Sequence, residues 1–240
     1  MTSKRNHKNR AAVVDETWPK RCDKYEFFTD DGNTTFPSAD IFYNMTDGHI
    51  KLWPKTKVAL QYIYDTYLDD FDWFLKADDD TYIVVENLKL MLARLDSSLP
   101  HYLGFRLKPY IDDGYNSGGA GYVLSRSALV AFVEKALTNK SACQDGWAED
   151  LQLAYCLKNV GVLPGDTRDS SGRNTFFPYH PNHHMNGIVP NGGHSKFWYY
   201  YPMEKGFDAF SEHFISMHHL SPTEMRLIDL LLYRIRVPSA

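Results

Sequence analysis

The sequence holds 240 residues, with 26 lysines and arginines against 30 aspartates and glutamates and a formal charge of −4. At 43% hydrophobic, with 15 glycines and 12 prolines, the composition is globular and argues against a disordered, collagen-like or coiled-coil chain, while the acidic balance argues against the basic face of a nucleic-acid binder. Aromatic residues reach 15%, enough that some must lie at a surface or cleft, where an amphipathic ring suits a sugar or a partner.

Residues 1–10, basic and polar, predict a disordered tail. They lack the apolar stretch of a signal peptide, and no run approaches the roughly 18 apolar residues of a membrane span. The chain is therefore expected to be cytosolic or to lack its targeting segment. Residues 11–17 can continue a helix. Lys24–Thr29 predicts a strand ended by a turn at Asp30–Asn33, and Ile41–Asn44 a second short strand. Helical spacing of Val58, Ala59, Tyr62 and Ile63 predicts a helix over 55–68. Asp72–Lys76 predicts a strand running into Asp78-Asp79-Asp80, followed by a helix over 85–95 and a strand over Tyr102–Phe105. Gly118, Gly119 and Gly121 open a run at Tyr122–Leu124 that reads as strand or tight turn. Ser127 is a candidate cap for a helix bearing Leu129, Phe132, Val133, Ala136 and Leu137. A further helix carries Cys156 and stops at Gly161. Strands alternating with helices predict an α/β sheet, mostly parallel. Residues 164–219 are loop-like and rich in aromatics, and seven of the ten histidines lie between His180 and His219. Ser221-Pro222-Thr223-Glu224 forms a capping box, after which Met225, Ile228, Leu231, Leu232 and Ile235 predict a buried stripe.

Three carboxylates at the end of an apolar strand repel one another and lose hydration unless a cation is present. Oxygen ligands suit Mg²⁺ or Mn²⁺ on a diphosphate, and ligands of α/β sheets bind at strand C-terminal ends; the alternative is a solvated turn. Glu149 and Asp150 open a helix, either as plain first-turn acids or as a general base at a cleft rim. His218 is either a hydrogen-bonded structural residue or a ligand completing a mixed nitrogen–oxygen metal site. Trp198-Tyr199-Tyr200-Tyr201 is either core or a platform for a sugar ring. Of the three cysteines, Cys143 and Cys156 flank a short loop and a helix start, so a bridge is feasible, and three reduced thiols are equally compatible. Sequons at Asn33, Asn44 and Asn139 lean toward a secretory protein.

The segments WFLKADDDTY (73–82), KPY (108–110), GYNSGGAGYVLS (114–125), AEDLQLAYC (148–156), GDTRD (165–169), TFFPYHPNHH (175–184), KFWYY (196–200) and SMHH (216–219) together resemble the core 1 β1,3-galactosyltransferases, glycosyltransferase family 31 enzymes related to Fringe, over residues 11–235. The resemblance implies a GT-A fold, a single Rossmann-like domain over 11–240. Residues 11–163 would be its nucleotide-sugar and metal half and 164–240 its loop-rich acceptor side. It implies Mn²⁺, UDP-galactose as donor, inversion, and the 3-hydroxyl of GalNAcα-Ser/Thr of a glycoprotein as acceptor. Metal ligands would be Asp80, Asp78 and His218, with Asp80 the most direct. Lys55, Thr56, Asp78, Asp79, Gly118 and Gly119 would line the donor, and Trp198 and Tyr199 the acceptor. Asp150 would be the catalytic base, with Glu149 beside it. A Cys143–Cys156 bridge, a type II Golgi membrane protein facing the lumen, a homodimer and a dedicated chaperone belong to the same expectation, and nucleic acid does not. Three family features are unmatched: the membrane anchor with its stem, the first sheet strand, which would leave Cys22 without a partner, and an adjacent cysteine pair where Phe207–Phe210 stands. The rival is a non-catalytic, chaperone-like relative that assists a partner glycosyltransferase. The retained Asp78–Asp80, Asp150 and His218 favour catalysis over it.

Overall fold

The computed structural model describes residues 1–45, 48, 51–188 and 195–236. Thr46 of the Asn44 sequon lies outside them, as do residues 237–240.

The expected disordered tail is instead folded. A tight turn at Lys4–Asn6 and a wide one at His7–Ala11 lead into α1, Ala12–Glu16. The Met1 ammonium donates to the Ala77 carbonyl at 2.7 Å, and Thr2 and Asn6 donate to Asp79 at 2.7 and 2.9 Å. A polar segment resembles disorder by composition. Here the acidic triplet, brought close by the fold, supplies it with partners.

β1, Phe27–Phe28, pairs in parallel with β2, Ser38–Ala39. The second strand therefore precedes the expected 41–44. That stretch turns so that Phe42 is fully buried, its N–H donating to the Thr29 carbonyl at 3.0 Å. α2, Leu52–Tyr67, buries Trp53, Ala59 and Leu60. β3, Trp73–Lys76, β4, Tyr82–Ile83, and α3, Val85–Leu92, follow, then β5, Tyr102–Gly104. A ribbon of β6, Arg106–Leu107, and β7, Tyr115–Asn116, leads to β8, Tyr122–Ser125. Ser125, not Ser127, caps α4, Arg126–Val130. Its backbone is extended and its Oγ accepts the Ala128 N–H at 3.2 Å, whereas Ser127 is already helical. α5 spans Glu149–Lys158.

The central sheet has the order β3-β8-β5, and both pairings are antiparallel, which corrects the expected mostly parallel sheet. β3 and β5 run alike because α3 crosses between them. The β6–β7 ribbon then returns the chain without a helix, so β8 enters between them in the opposite sense. A second sheet, β4-β10-β9, joins this part to the C-terminal one through β9, Phe176–Phe177, and β10, Ser216–Met217. Between them lie α6, Pro181–Asn186, and α7, Ser195–Trp198.

α8, Pro222–Tyr233, starts on the expected capping box, with both reciprocal bonds formed. Its expected buried stripe is corrected: Met225 is buried, but Leu231, Leu232 and Ile235 are 55%, 43% and 49% exposed. The residue beside Met225 on the inward face is Asp229, which takes the Tyr82 hydroxyl and an Arg21 nitrogen, each at 3.0 Å. A buried polar anchor, not the leucines, fixes how the helix turns. No helix among the described residues is long and apolar enough to cross a membrane. Between β1 and β3 lies a cavity of about 790 Å³, and no strand among the described residues fills it. Cys143 and Cys156 are bridged and Cys22 is free.

Candidate active site

β3 delivers the triplet to the site, and its three carboxylates meet different neighbours. Asp78 receives the Lys76 ammonium at 2.7 Å. Burial pushes its pKa up, but Lys76 and the Met1 ammonium outweigh that and hold it below the usual carboxylate value. Asp79 is buried and takes Thr2 and Asn6. Asp80 stands between Arg10, at 3.1 Å, and His218 Nε2, at 3.1 Å. Burial raises its pKa, and His218 and Arg10 together bring it below the usual value.

His218 follows β10. One ring nitrogen, Nδ1, donates to the Pro178 carbonyl at 2.9 Å, because a carbonyl can only accept. That orients the ring so that Nε2 faces Asp80, and in the protonated ring its N–H donates to that carboxylate. Burial lowers the His218 pKa, but the bond and charge of Asp80 leave it above the usual value. Its ring stacks on His219 at 3.9 Å. Ligand atoms of Asp80, His218 and His219 lie within 4.8 Å of one another. One carboxylate oxygen and two imidazole nitrogens form a mixed nitrogen–oxygen donor set of the kind that divalent transition metals accept. Two of the three expected ligands, Asp80 and His218, stand in this cluster. Asp78, the third, is turned to Lys76, and His219 lies beside the other two. A spacing argument treats adjacent histidines as facing apart; the positive φ of 60° at His219 brings both rings to one side.

A two-glycine turn joins this cluster to the next. Gly119 lies so close to His218 that a Cβ there would land on the imidazole. Gly118 donates its N–H to Asp150 Oδ2 at 3.2 Å. The two acids of α5 separate cleanly. Glu149 is buried, taking Tyr122 at 2.8 Å and Thr56 at 3.0 Å, and burial raises its pKa against the pull of Lys76. Asp150 is half-buried. Lys76 is the ion that ties the halves together. Burial disfavours its charge, but Asp78 and Glu149 more than restore it, and its ammonium also donates to the Gly118 carbonyl at 3.1 Å.

The other expected site residues are already engaged within the fold. Thr56 donates to Glu149 at 3.0 Å, and Lys55 is buried with its ammonium 5.4 Å from the Phe42 ring centre. Trp198 is half-buried. Tyr199 is core: it is 4% exposed and packs edge-on against Phe105 at 4.9 Å. Its bridge to Leu107, with Lys108 N–H bonded to the Trp198 carbonyl at 2.8 Å, aligns this segment with β6. Alternation along such a segment turns Tyr199 inward. Arg10 and Lys76 gave no sequence signal, since their roles depend on contacts across 70 and 42 residues.

The Fringe-like family profile matches residues 1–167. The chain is 38% identical over 241 aligned positions to glycoprotein-N-acetylgalactosamine 3-beta-galactosyltransferase 1 of Xenopus laevis, covering 98% of this chain and 65% of that protein. It is 31% identical over 166 positions to beta-1,3-glucosyltransferase of Mus musculus, covering 67% of this chain and 32% of that one. Chondroitin sulfate synthase 3 of Homo sapiens is 28% identical over 182 positions, with 67% and 20% covered. The chain thus spans under two thirds of the length of each.

Proposed function

From the premise that the chain belongs to the Fringe-like family, we propose that it is an inverting β1,3-galactosyltransferase of GT-A fold. It moves galactose from UDP-galactose to the 3-hydroxyl of GalNAcα-Ser/Thr on a glycoprotein. The observation that carries this reading is the Gly118–Gly119 turn, which touches Asp150 on one side and His218 on the other. A base and a metal-binding set therefore lie across one turn, as a single displacement requires. The similarity to the Xenopus laevis galactosyltransferase supports the choice of sugar.

Asp80, His218 and His219 would hold a divalent ion, for which Mn²⁺ is the proposal, and when bound it would neutralise charge on the leaving diphosphate. Asp150 accepts the proton of the acceptor hydroxyl as that oxygen bonds to galactose C1 and the bond from C1 to the diphosphate breaks. The Gly118 N–H aims the Asp150 carboxylate. Lys76 keeps Asp78 and Glu149 charge-compensated in a buried place. Work in the Golgi lumen is part of the proposal, and the Cys143–Cys156 bridge supports an oxidising compartment.

The test is UDP release from UDP-galactose with a GalNAc-α-peptide, with and without Mn²⁺. Mn²⁺-dependent release that requires the peptide is expected. By calorimetry, Asp80→Ala and His218→Ala should each lose Mn²⁺ binding while the fold survives. Unchanged Mn²⁺ affinity in both would sink the metal assignment.

A further inference from the structure

Asp80 is held from two sides. Its Oδ1 faces His218 Nε2 at 3.1 Å, and its Oδ2 accepts from the Arg10 guanidinium at 3.1 Å. The same guanidinium nitrogen lies 3.4 Å from Asp79 Oδ1. Arg10 therefore sits on a carboxylate that also belongs to the Asp80–His218–His219 cluster. The backbone that carries it is anchored. Ala11 is fully buried, and His7, at the start of the same wide turn, is buried with its Nε2 2.6 Å from the Thr29 hydroxyl. The Arg10 side chain itself is 42% exposed. Its main chain is thus fixed, while its guanidinium borders solvent and can turn.

Charge decides what it can turn toward. Among the described residues, Lys76 is paired with Asp78, and Arg10 is shared by Asp79 and Asp80, so each carboxylate of the triplet already has a cationic partner. A divalent ion added alone would place more positive charge beside Arg10 and compete with it for Asp80. An ion that arrives with a diphosphate brings the countercharge. The planar fork of donors on arginine matches two phosphate oxygens, and such a charge-assisted pair is stronger than a neutral hydrogen bond. We propose that Arg10 couples the two parts of the donor complex: it covers Asp80 until a divalent ion takes that carboxylate, then turns to the diphosphate of the nucleotide, so that ion and diphosphate each strengthen the binding of the other. The inference rests on the reading of Asp80, His218 and His219 as an ion site, and it adds a binding residue from outside the triplet and the glycine turn. A plain structural ion pair that steadies residues 1–10 would leave this coupling untouched.

Calorimetry on the full chain measures Mn²⁺ alone, UDP alone, and each in the presence of the other, corrected for Mn²⁺–UDP association in solution. In the parent chain each should tighten the other by about tenfold or more, by the same factor in both directions. Arg10→Gln keeps a polar side chain without the charge. It should bind Mn²⁺ alone at least as tightly as the parent, because a competitor for Asp80 is gone. It should bind UDP with Mn²⁺ more weakly, and its coupling factor should fall about fivefold or more. Arg10→Lys keeps the charge without the fork and should restore part of the coupling, which a purely steric role would not. The unsubstituted chain gives a reading that no misfolded variant can spoil: modification of Arg10 by phenylglyoxal, followed by peptide mass. Saturating Mn²⁺ alone should speed it, and adding UDP should reverse that. An unchanged coupling factor in folded Arg10→Gln overturns the proposal and leaves the ion site standing. So does an Arg10 whose modification neither Mn²⁺ nor UDP alters in a chain that binds both. A parent chain that binds no Mn²⁺, with or without UDP, sinks the ion site itself and the proposal with it.

Discussion

Glu149 and Asp150 are adjacent in sequence and opposite in circumstance. Glu149 is buried and bonded by Thr56 and Tyr122, whereas Asp150 is held at the edge of the site by the Gly118 N–H. A proton acceptor must reach substrate, so Asp150→Asn should lower turnover about 10²- to 10⁴-fold at saturating donor. UDP and Mn²⁺ affinity should stay near that of the parent chain. Glu149→Gln should instead lower the thermal midpoint, because it removes a buried charge that Lys76 compensates. Near-normal turnover in Asp150→Asn beside a dead Glu149→Gln would mean that the wrong carboxylate has been chosen. Gly119 gives a sharper local test. A Cβ there would displace the His218 ring, so Gly119→Ala should weaken Mn²⁺ binding about 10- to 100-fold, the size expected when a ligand's support is disturbed. Titration of the folded variant with Mn²⁺ reads this directly, and parent-like affinity would refute it.

At the scale of elements, α8 depends on its first turn. Ser221 and Glu224 exchange bonds across the capping box, and His180 adds a contact to Glu224 at 2.8 Å. Ser221→Ala should cost about 1 kcal/mol, read from the denaturant midpoint. The Ser221 hydroxyl and N–H, with His180, hold the Glu224 pKa down to about 2, against an ordinary value of 4.5. A carboxylate with a lowered folded pKa stabilises fully above its unfolded pKa and loses that contribution as pH falls through the folded one. Amide exchange in α8 should therefore quicken as pH drops from about 4.5 toward 2, after correction for the intrinsic pH dependence of exchange. The same slope in Glu224→Gln would refute the assignment. The box was readable from four residues. The face the helix buries was not, because Asp229 finds Tyr82 and Arg21 only in the folded chain.

For the whole molecule, the Cys143–Cys156 bridge closes a loop with a sequence separation of 13 and anchors the C-terminal half of α5, the helix whose first turn carries both acids. Chain-entropy arguments give such a loop roughly 3 kcal/mol. Reduction should lower the thermal midpoint and loosen Asp150 along with α5. Peptide mapping without reductant should recover the bridged pair and an alkylatable Cys22, and a link from Cys22 to either partner would overturn the pairing. The cavity between β1 and β3 acts at the same scale, since it leaves β3 half-buried under the triplet it presents.

The sequence by itself determined what is local or periodic. The apolar run 73–76 ahead of three aspartates, the helix through 55–68, the capping box at Ser221 and the family-like segments could all be read because their signals lie within a few residues. Tertiary structure alone decided which groups meet. Residues 1–10 fold because Asp79 and Asp80 receive Thr2, Asn6 and Arg10 from about 70 positions away. His219 joins His218 and Asp80 through a left-handed backbone turn, and Tyr199 turns inward because it aligns with Leu107. Side-chain identity sets what a residue can bond. Which partner lies within bonding distance depends on long-range packing, which composition and spacing do not encode.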